Sequence, residues 1–283
     1  MFGVNRQVYY RRLKAVKRRK SRAVKVLELV ESIRIRMPKI GTRKLYFMLE
    51  EDLKPLRVGR DMLFRILNAN HMFIKPTRRY HITTNSHHRF RKHKNLIENV
   101  VPDKPEQIWV SDITYVGNRE NPMYLALITD AYSKQIMGHD LSNSLDLSGS
   151  LRALKMAIKK RKYRKNVFTH HSDRGLQYCS NQYQDILNRN KIKCSMTESY
   201  DPYANAIAER VNGILKAEFI GYKNNESIET MGKLVRNSIQ IYNQQRPHFS
   251  CFYKTPNQMH MQNSIKIKTY KNKYPSKHVF TGI

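Results

Sequence analysis

Acidic residues, cysteines and long apolar runs are all scarce in this 283-residue sequence. Its 22 Asp and Glu stand against 53 Lys and Arg, a formal net charge of +31 that predicts a polyanionic partner, with nucleic acid ahead of an anionic membrane surface. The longest near-continuous apolar run, Met123 to Thr129, is far short of the roughly 20 residues of a membrane span. The first residues lack a secretory signal pattern. Three cysteines without a CxxC pair exclude a disulfide framework and indicate a cytoplasmic protein with reduced thiols.

The front of the chain carries a dense run of positive charge. Residues 1–25 contain ten Lys or Arg and no acid, and Asn5 is placed to cap a short helix through Tyr10. A basic helix or arm over residues 1–20 fits two interpretations, a solvated tail or a helix that contacts DNA.

Three amphipathic segments follow over residues 21–75. The first ends before Pro38, the second begins with Thr42 as its cap, and the third follows Pro55. Three short helices are typical of a helix-turn-helix module, although a generic helical bundle has the same periodicity; the surrounding charge favours DNA binding. The third helix leaves Arg60 and Arg65 outward as candidate DNA contacts. The apolar positions of the three helices are Ala23, Val26, Leu27, Val30 and Ile33, then Leu45, Met48 and Leu49, then Val58, Met62, Ile66 and Leu67.

Residues 76–104 are predicted to form a basic linker. The stretch from Lys75 to Lys94 has seven Lys or Arg, four His, no acid and no clear period. This composition suits contacts with a phosphate backbone. A zinc site is the weaker interpretation, because no Cys pair or HxxxH motif completes a tetrahedral set. The candidate DNA contacts in the linker are Arg78, Arg79, Arg91 and Lys92.

Residues 105–250 alternate between strand and helix patterns, which predicts an α/β domain with a mixed five-stranded sheet and flanking helices. The first strand is apolar on both faces, as in the centre of a sheet, and the first three strands form a meander. A helical stripe over Leu147, Leu151, Leu154 and Ile158 follows the third strand, and residues 251–283 are predicted to be a basic tail. The predicted strands are Gln107–Val116, Met123–Thr129, Gln135–Leu141, Val167–His170 and Ile192–Met196.

Three carboxylates occupy positions that suggest a functional role. Asp112 lies in the middle of the first strand, where aspartate is disfavoured and a buried carboxylate needs a partner or a metal. Asp173 opens the loop after the fourth strand, a common position for catalytic groups. Glu209 lies on a predicted helix where Lys216, seven residues later, is about 20° away around the axis; a solvated face is the alternative for that pair. Three carboxylates so placed could hold two divalent metal ions.

Five motifs occur in a specific order and spacing. They are IGTRKLY (40–46), WVSDITYV (109–116), HSDRGLQY (171–178), NAIAERVNGILKAE (205–218), and YNQQRPH (242–248) with KTP (254–256). Together they resemble the second-reading-frame transposases of the IS-three family of bacterial insertion sequences, over most of the chain. The resemblance implies a ribonuclease-H-like catalytic domain of the DDE integrase and transposase superfamily, preceded by a small all-helical DNA-binding region.

The resemblance also implies a site and a reaction. Asp112, Asp173 and Glu209 match the DDE triad, which would hold two Mg²⁺ ions, with Mn²⁺ as a substitute. Lys216 matches the basic residue after the Glu and would contact a DNA phosphate. Water would free a 3′-OH at the element's end, and that hydroxyl would attack another strand. The residues that could position substrate are His171, Gln177, Tyr178 and Arg246, the last as a DNA contact, and a structural role is the alternative for each of them.

Two other interpretations remain open. A tyrosine recombinase is one, since His171 and Arg174 read as HxxR and Tyr200 or Tyr203 follows, but it leaves Asp112 and Glu209 unexplained. A non-catalytic DNA-binding protein or regulator derived from a transposase is the other. The expected partners are DNA at the element ends and the target, further copies of the chain on DNA, and a first-reading-frame protein. The expected location is the bacterial cytoplasm, at the nucleoid.

Overall fold

A mixed five-stranded sheet forms the centre of the larger part of the molecule. The computed structural model describes residues 5–74, 93–98, 100–117, 121–164, 167–197, 205–221 and 226–267. The strands are β1 Ile108–Gly117, β2 Pro122–Asp130, β3 Ile136–Ser142, β4 Thr169–Ser172 and β5 Lys193–Met196. The helices are α1 Arg6–Arg34, α2 Thr42–Met48, α3 Glu50–Leu53, α4 Arg60–Ala69, α5 Leu147–Lys160, α6 Leu176–Cys179, α7 Asn181–Arg189, α8 Ala206–Ile214, α9 Ile228–Gln245 and α10 Pro256–His260. A π-helical turn, Leu215–Ile220, continues α8, and a 3₁₀ turn, Phe249–Cys251, follows α9.

Strand β1 is the central strand of this sheet, whose order is β3-β2-β1-β4-β5. It pairs antiparallel with β2, from Trp109 opposite Asp130 to Gly117 opposite Pro122, and parallel with β4. Strands β2 and β3 are antiparallel, whereas β4 and β5 are parallel. Apolar residues are buried on both faces of β1, as a central strand covered by helices requires. The five predicted strands and the three-strand meander are therefore confirmed.

Helix α5 packs closely against β3. A Cβ added at Gly138 of β3 would clash with the carbonyl oxygen of Ala153 and lie 3.0 Å from the Cβ of Ala157. Small residues on both elements thus let the helix and strand backbones approach each other. Leu154 is fully buried beneath the helix, and the rest of the predicted apolar stripe is half-buried.

Helix α1 differs from the prediction in length. Asn5 caps it as predicted, accepting a hydrogen bond from the backbone N–H of Gln7 at 2.9 Å. The helix then continues without a break to Arg34, so the predicted boundary between residues 20 and 21 does not exist. The physical reason is that no Pro or Gly interrupts residues 6–34, which are rich in strong helix formers. Val26, Val30 and Ile33 are buried, whereas nearly all of residues 6–22 are exposed.

Helices α1 to α4, here called the N-terminal helical unit, include the three predicted helices. Helix α2 begins at Thr42, but its N-cap is Gly41 and not the predicted Thr42. The apolar side chains of this unit join a single hydrophobic cluster with residues of the sheet and α9, such as Val116 and Tyr242. The predicted domains 21–75 and 105–250 therefore share a core, because the amphipathic helices bury their stripes against the larger domain.

The C-terminal residues described, 251–267, pack on the sheet domain instead of forming the predicted tail. Cys251 and Met259 are fully buried against Tyr132, which follows β2. Helix α10 has a capping box between Thr255 and Gln258 and a proline in its first turn. This local signal in the motif KTPNQ was the available sequence sign of a helix at this position. The predicted boundary at residue 250 therefore falls inside a packed unit, while residues 268–283 lie outside the described ranges.

His260 at the end of α10 joins a buried polar cluster. Its Nε2 lies 3.3 Å from Glu106 Oε1, and its Nδ1 lies 3.0 Å from Ser133 Oγ and 3.7 Å from Asp130 Oδ2. Burial alone would lower the pKa of His260, but hydrogen bonds and the charges of Asp130 and Glu106 outweigh it and raise the pKa to about 9. The folded protein therefore holds a proton here that the unfolded chain gives up at lower pH.

Because His260 is protonated in the folded protein, we expect the protein to lose stability at alkaline pH. The protonated His260 contributes up to about 3 kcal/mol to the free energy of unfolding. This contribution is fully present below the unfolded histidine pKa of about 6.5, and it is lost as pH rises through about 9. We expect urea unfolding to show the wild type losing its stability advantage over His260→Gln between about pH 6 and about pH 10. A constant difference between the two proteins would contradict the assignment.

A candidate active site at the ends of two parallel strands

Two aspartates lie side by side where the pairing of two parallel strands ends. Ser111 of β1 pairs with Ser172 of β4, and this is the last pair of that ladder. Asp112 and Asp173 are the next residues on the two strands. Because β1 continues beyond β4, Asp112 stays within a strand while Asp173 enters the loop, where its Oδ1 accepts a hydrogen bond from the N–H of Gly175 at 3.0 Å.

Electrostatics link these two aspartates with Glu209. Burial raises the pKa of Asp112 to about 7, and the negative charges of Asp173 and Glu209 add to that shift. Glu209 lies in the first turn of α8, which packs against β1, and its side chain is exposed. The three predicted acids therefore come from a strand, a loop and a helix that meet at one end of the sheet.

Asn212 is a site residue that the sequence reasoning missed. Its Nδ2 donates a hydrogen bond of 2.7 Å to Oδ2 of Asp112, and this bond lowers the pKa of the carboxyl against the larger effect of burial. Asn212 is buried and comes one helical turn after Glu209. Asn205, the N-cap of α8, donates from its Nδ2 to the carbonyl oxygen of Ser111 at 3.0 Å. Two asparagines on α8 thus fix the helix to β1, and their i, i+7 spacing was the available signal.

Lys216 follows α8 on the π-helical turn Leu215–Ile220. Its side chain is half-buried. Burial lowers the pKa of Lys216, and the charge of Asp112 opposes that effect, so the ammonium lies within the electrostatic range of the aspartate. Lys216 thus follows Glu209 on the continuation of the same helix, and the π-helical geometry of that continuation was not predicted.

His171, Gln177 and Tyr178 make contacts inside the protein. His171 is fully buried in β4 and its Nδ1 lies 2.8 Å from Ser195 Oγ of β5. Gln177 donates from Nε2 to the carbonyl oxygen of Leu145 at 2.6 Å. Tyr178 is buried, and burial raises the pKa of its hydroxyl well above the ordinary value. These placements favour structural roles over the predicted positioning of substrate.

The predicted DNA contacts fall into three groups. Arg60 and Arg65 are exposed on α4, and Arg60 pairs with Asp61 at 2.9 Å. Arg246 is only 1% exposed, and its Nε and Nη2 each donate to a carboxylate oxygen of Glu218 at 2.7 Å. A guanidinium so enclosed does not reach a phosphate, so its placement speaks against the predicted contact. The predicted contacts Arg78, Arg79, Arg91 and Lys92 lie outside the described residues, as do His81, His87 and His88 of the zinc alternative.

Two further properties bear on ligands and location. Within the described ranges, no three His, Cys, Asp or Glu side chains already stand together as a ready-formed metal site. None of the described helices is long and apolar enough to cross a membrane.

The sequence is similar to integrase core domains and to insertion-sequence proteins. Two sequence profiles, both described as integrase core domain, match residues 102–202 and 190–256. The chain is 33% identical over 253 residues to the insertion element IS600 uncharacterized 31 kDa protein of Shigella sonnei, covering 88% of this chain and 92% of that protein. It is 34% identical over 191 residues to transposase InsF for insertion sequence IS3A of Escherichia coli (strain K12), covering 67% of this chain and 66% of that protein. The HTLV-2 integrase catalytic core domain in complex with magnesium, in its trimeric form, aligns with a TM-score of 0.44 and 19% identity, covering 56% of this chain and 97% of that chain.

Proposed function

This chain belongs to the IS3 family of insertion-sequence transposases and carries an integrase core domain, and from this premise we propose that it cleaves the ends of an insertion sequence and joins each freed 3′-OH to another DNA strand. Its activity therefore lies in DNA transposition. Cleavage and strand transfer by metal-assisted phosphodiester chemistry are the more specific proposal, and Asp112, Asp173 and Glu209 are its site.

The pairing of β1 with β4 is the single observation that supports this proposal most strongly. It puts Asp112 and Asp173 next to each other at the end of the ladder, and α8 brings Glu209 to the same end. Burial raises the pKa of Asp112 to about 7, and the negative charges of Asp173 and Glu209 add to that shift, so an ionised carboxylate is costly in this buried place. Nothing in the packing of a sheet needs such a carboxylate, and it lowers stability unless a cation balances it.

The side chains fit divalent ions. All three ligands offer carboxylate oxygens, which are the hard donors that Mg²⁺ and Mn²⁺ prefer. Asp112 and Asp173 would hold the ions, and Glu209, exposed on the first turn of α8, would complete the set by turning its side chain toward them. When bound, divalent ions would act as Lewis acids for the attacking and leaving oxygens.

The protein's own groups would then bind and orient DNA. Lys216 would contact a phosphate next to the acids, and Asn212 would hold the Asp112 carboxylate in one orientation. In the first step the oxygen of water attacks phosphorus and the 3′ oxygen leaves as a hydroxyl. In the second step that 3′-OH attacks a phosphodiester of another strand and displaces its 3′ oxygen. Each step exchanges one phosphorus–oxygen bond for another, so no covalent enzyme intermediate is needed.

DNA contacts away from the acids are part of the same proposal. The outward arginines of α4, Arg60 and Arg65, would contact the backbone, together with Arg78, Arg79, Arg91 and Lys92. The net charge of +31 supports such contacts through the release of counterions. Because joining two element ends requires two sites, we expect more than one copy of the chain on the DNA.

A cleavage assay with and without metal tests the proposal against a non-catalytic binder. We expect the purified chain to nick labelled element ends in Mg²⁺, to leave a 3′-OH, and to lose this activity on chelation while still binding DNA. Binding without cleavage in Mg²⁺ and in Mn²⁺ would establish the non-catalytic interpretation. A phosphate linked covalently to the protein and formed without metal would establish a recombinase, although the burial of His171 disfavours that reading.

A further inference from the structure

The π-helical turn Leu215–Ile220 is an unusual element next to the acids. The N–H of Gly221 bonds to the carbonyl oxygen of Lys216 at 2.9 Å, so this hydrogen bond spans five residues instead of four. Such turns are rare and frequently lie at functional sites. The turn ends at Gly221 with φ +62° and ψ −164°, a conformation essentially restricted to glycine.

Lys216 and Glu218 lie on opposite sides of this turn. Residues two apart on a helical turn point in roughly opposite directions, because successive residues are about 100° apart in a helix. Lys216 lies on the continuation of α8, whose Asn212 donates a hydrogen bond to Asp112 at 2.7 Å. Glu218 instead reaches Arg246 and the N-terminal helical unit. The turn is therefore a bridge between the acids and the helices at the front of the chain.

Three groups hold Glu218, and we call them the Glu218 clamp. Arg246 donates two hydrogen bonds of 2.7 Å to the carboxylate, one to each oxygen. Lys44 of α2 lies 3.4 Å from Oε1. The backbone N–H of Lys39 donates to the carbonyl oxygen of Glu218 at 3.3 Å. Burial alone would raise the pKa of Glu218, but Arg246 and Lys44 outweigh it and hold the pKa below its ordinary value.

The clamp is itself rigidly supported. Arg246 is enclosed, with its Nη1 2.9 Å from Nε2 of His248. Close by, Arg36, in the turn just after α1, donates to Oε1 of Gln245 at 2.8 Å. Two members of the clamp come from the front of the chain: Lys44 lies in α2, and Lys39 lies in the loop before α2. These two contacts connect the N-terminal helical unit directly to the π-helical turn.

From this geometry we propose that Glu218 is a positioning residue, whose clamp by Arg246, Lys44 and Lys39 fixes the π-helical turn and with it the position of Lys216, on the continuation of the helix that is bonded to Asp112. The inference rests on the proposed function, since Lys216 matters only if DNA reacts at the acids. It adds that the N-terminal helical unit takes part in ordering the active site. The motifs LKAE and YNQQRPH then belong together because each supplies one partner of the Glu218–Arg246 pair.

A double-mutant cycle tests this role. We expect Glu218→Gln and Lys216→Ala each to slow single-turnover strand transfer about tenfold, while the affinity for DNA changes little. Because both substitutions act through the same lysine, the double variant is expected to be no slower than the slower single variant. Rate losses that multiply, to about a hundredfold in the double variant, would overturn the proposal.

Two companion variants keep the test independent of folding. Glu218→Gln leaves the enclosed guanidinium of Arg246 without its counter-charge, so Lys44→Gln, which removes the more accessible arm, is assayed beside it. Asp140→Asn breaks a comparable pair with Arg152 on β3 and α5 and is the matched control, expected to transfer at the wild-type rate. If Lys44→Gln also transfers at the wild-type rate, the N-terminal helical unit does not position the turn and the proposal fails.

A readout without metal or DNA separates positioning from general stability. Acylation of lysine amines, followed by mass spectrometry, is expected to modify Lys216 severalfold faster in Glu218→Gln than in the wild type, with the exposed Lys233 of α9 as the internal reference. An unchanged ratio of the two rates would overturn the positioning role. If Lys216→Ala leaves strand transfer unaffected while the wild type is active, the clamp inference fails and the proposed function stands. If the wild type does not cleave at all, the proposed function itself fails.

Discussion

Asp173→Asn is expected to abolish metal-dependent strand transfer while leaving the fold and DNA binding intact. An amide is a far poorer ligand for Mg²⁺ than a carboxylate, so the rate should fall by at least about 10³-fold, the equivalent of several kcal/mol of transition-state stabilisation. Asparagine keeps an oxygen that can accept the hydrogen bond from the N–H of Gly175, which protects the loop. The measurement is a single-turnover joining assay on labelled element ends.

The matched control for this substitution is Asp185→Asn on α7. Asp185 is an exposed aspartate away from the three acids, so the same chemical change is expected to leave strand transfer near the wild-type rate. Retained transfer by purified Asp173→Asn would remove this aspartate from the site. Equal losses in both variants would mean that the effect comes from charge or folding instead of ligation.

Arg246→Gln is expected to destabilise the whole chain by about 3–5 kcal/mol, because it leaves a largely enclosed carboxylate without its main partner. Glu218 would keep only Lys44, at 3.4 Å, in place of two hydrogen bonds of 2.7 Å. The midpoint of urea unfolding should fall accordingly, and the core shared by the N-terminal helical unit and α9 should unfold with the sheet.

Arg152→Gln is the control for burial. Arg152 also makes two parallel hydrogen bonds, each 2.8 Å, to the carboxylate of Asp140, but its side chain is 54% exposed. An exposed pair of this kind contributes no more than about 1 kcal/mol. If Arg246→Gln also lost no more than about 1 kcal/mol of unfolding free energy, the Glu218–Arg246 pair would not be important for stability. Arg246 would then be a candidate DNA contact once more.

The sheet and its acids could be predicted because the signals are local. Strand β1 shows apolar residues on both faces, and Asp112 interrupts that pattern where an unused acid would lower stability. Asp173 follows a short strand, and Glu209 begins a helical pattern. What the local pattern does not contain is the register between β1 and β4, which decides that Asp112 and Asp173 are neighbours.

The parts that could not be predicted depend on tertiary contacts. Arg246 looks like any basic residue in a basic chain until Glu218 is placed against it. The π-helical turn has no periodic signal in the sequence, and the contacts of its Glu218 with Arg246 and Lys44 are tertiary. Asn212 has an ordinary helical position, and only the packing of α8 on β1 shows its bond to Asp112. Helix α1 shows the reverse case, because the absence of Pro and Gly from Arg6 to Arg34 and the many helix formers there already indicate one unbroken helix.

The location of bound Mn²⁺ in crystals of the chain, read from its anomalous scattering, tests the central claim most directly. We expect a peak between the carboxylates of Asp112 and Asp173, with the side chain of Glu209 turned toward the ions, and no such peak in Asp173→Asn. A chain that transfers strands in Mn²⁺ while the peak lies away from these aspartates would contradict this claim.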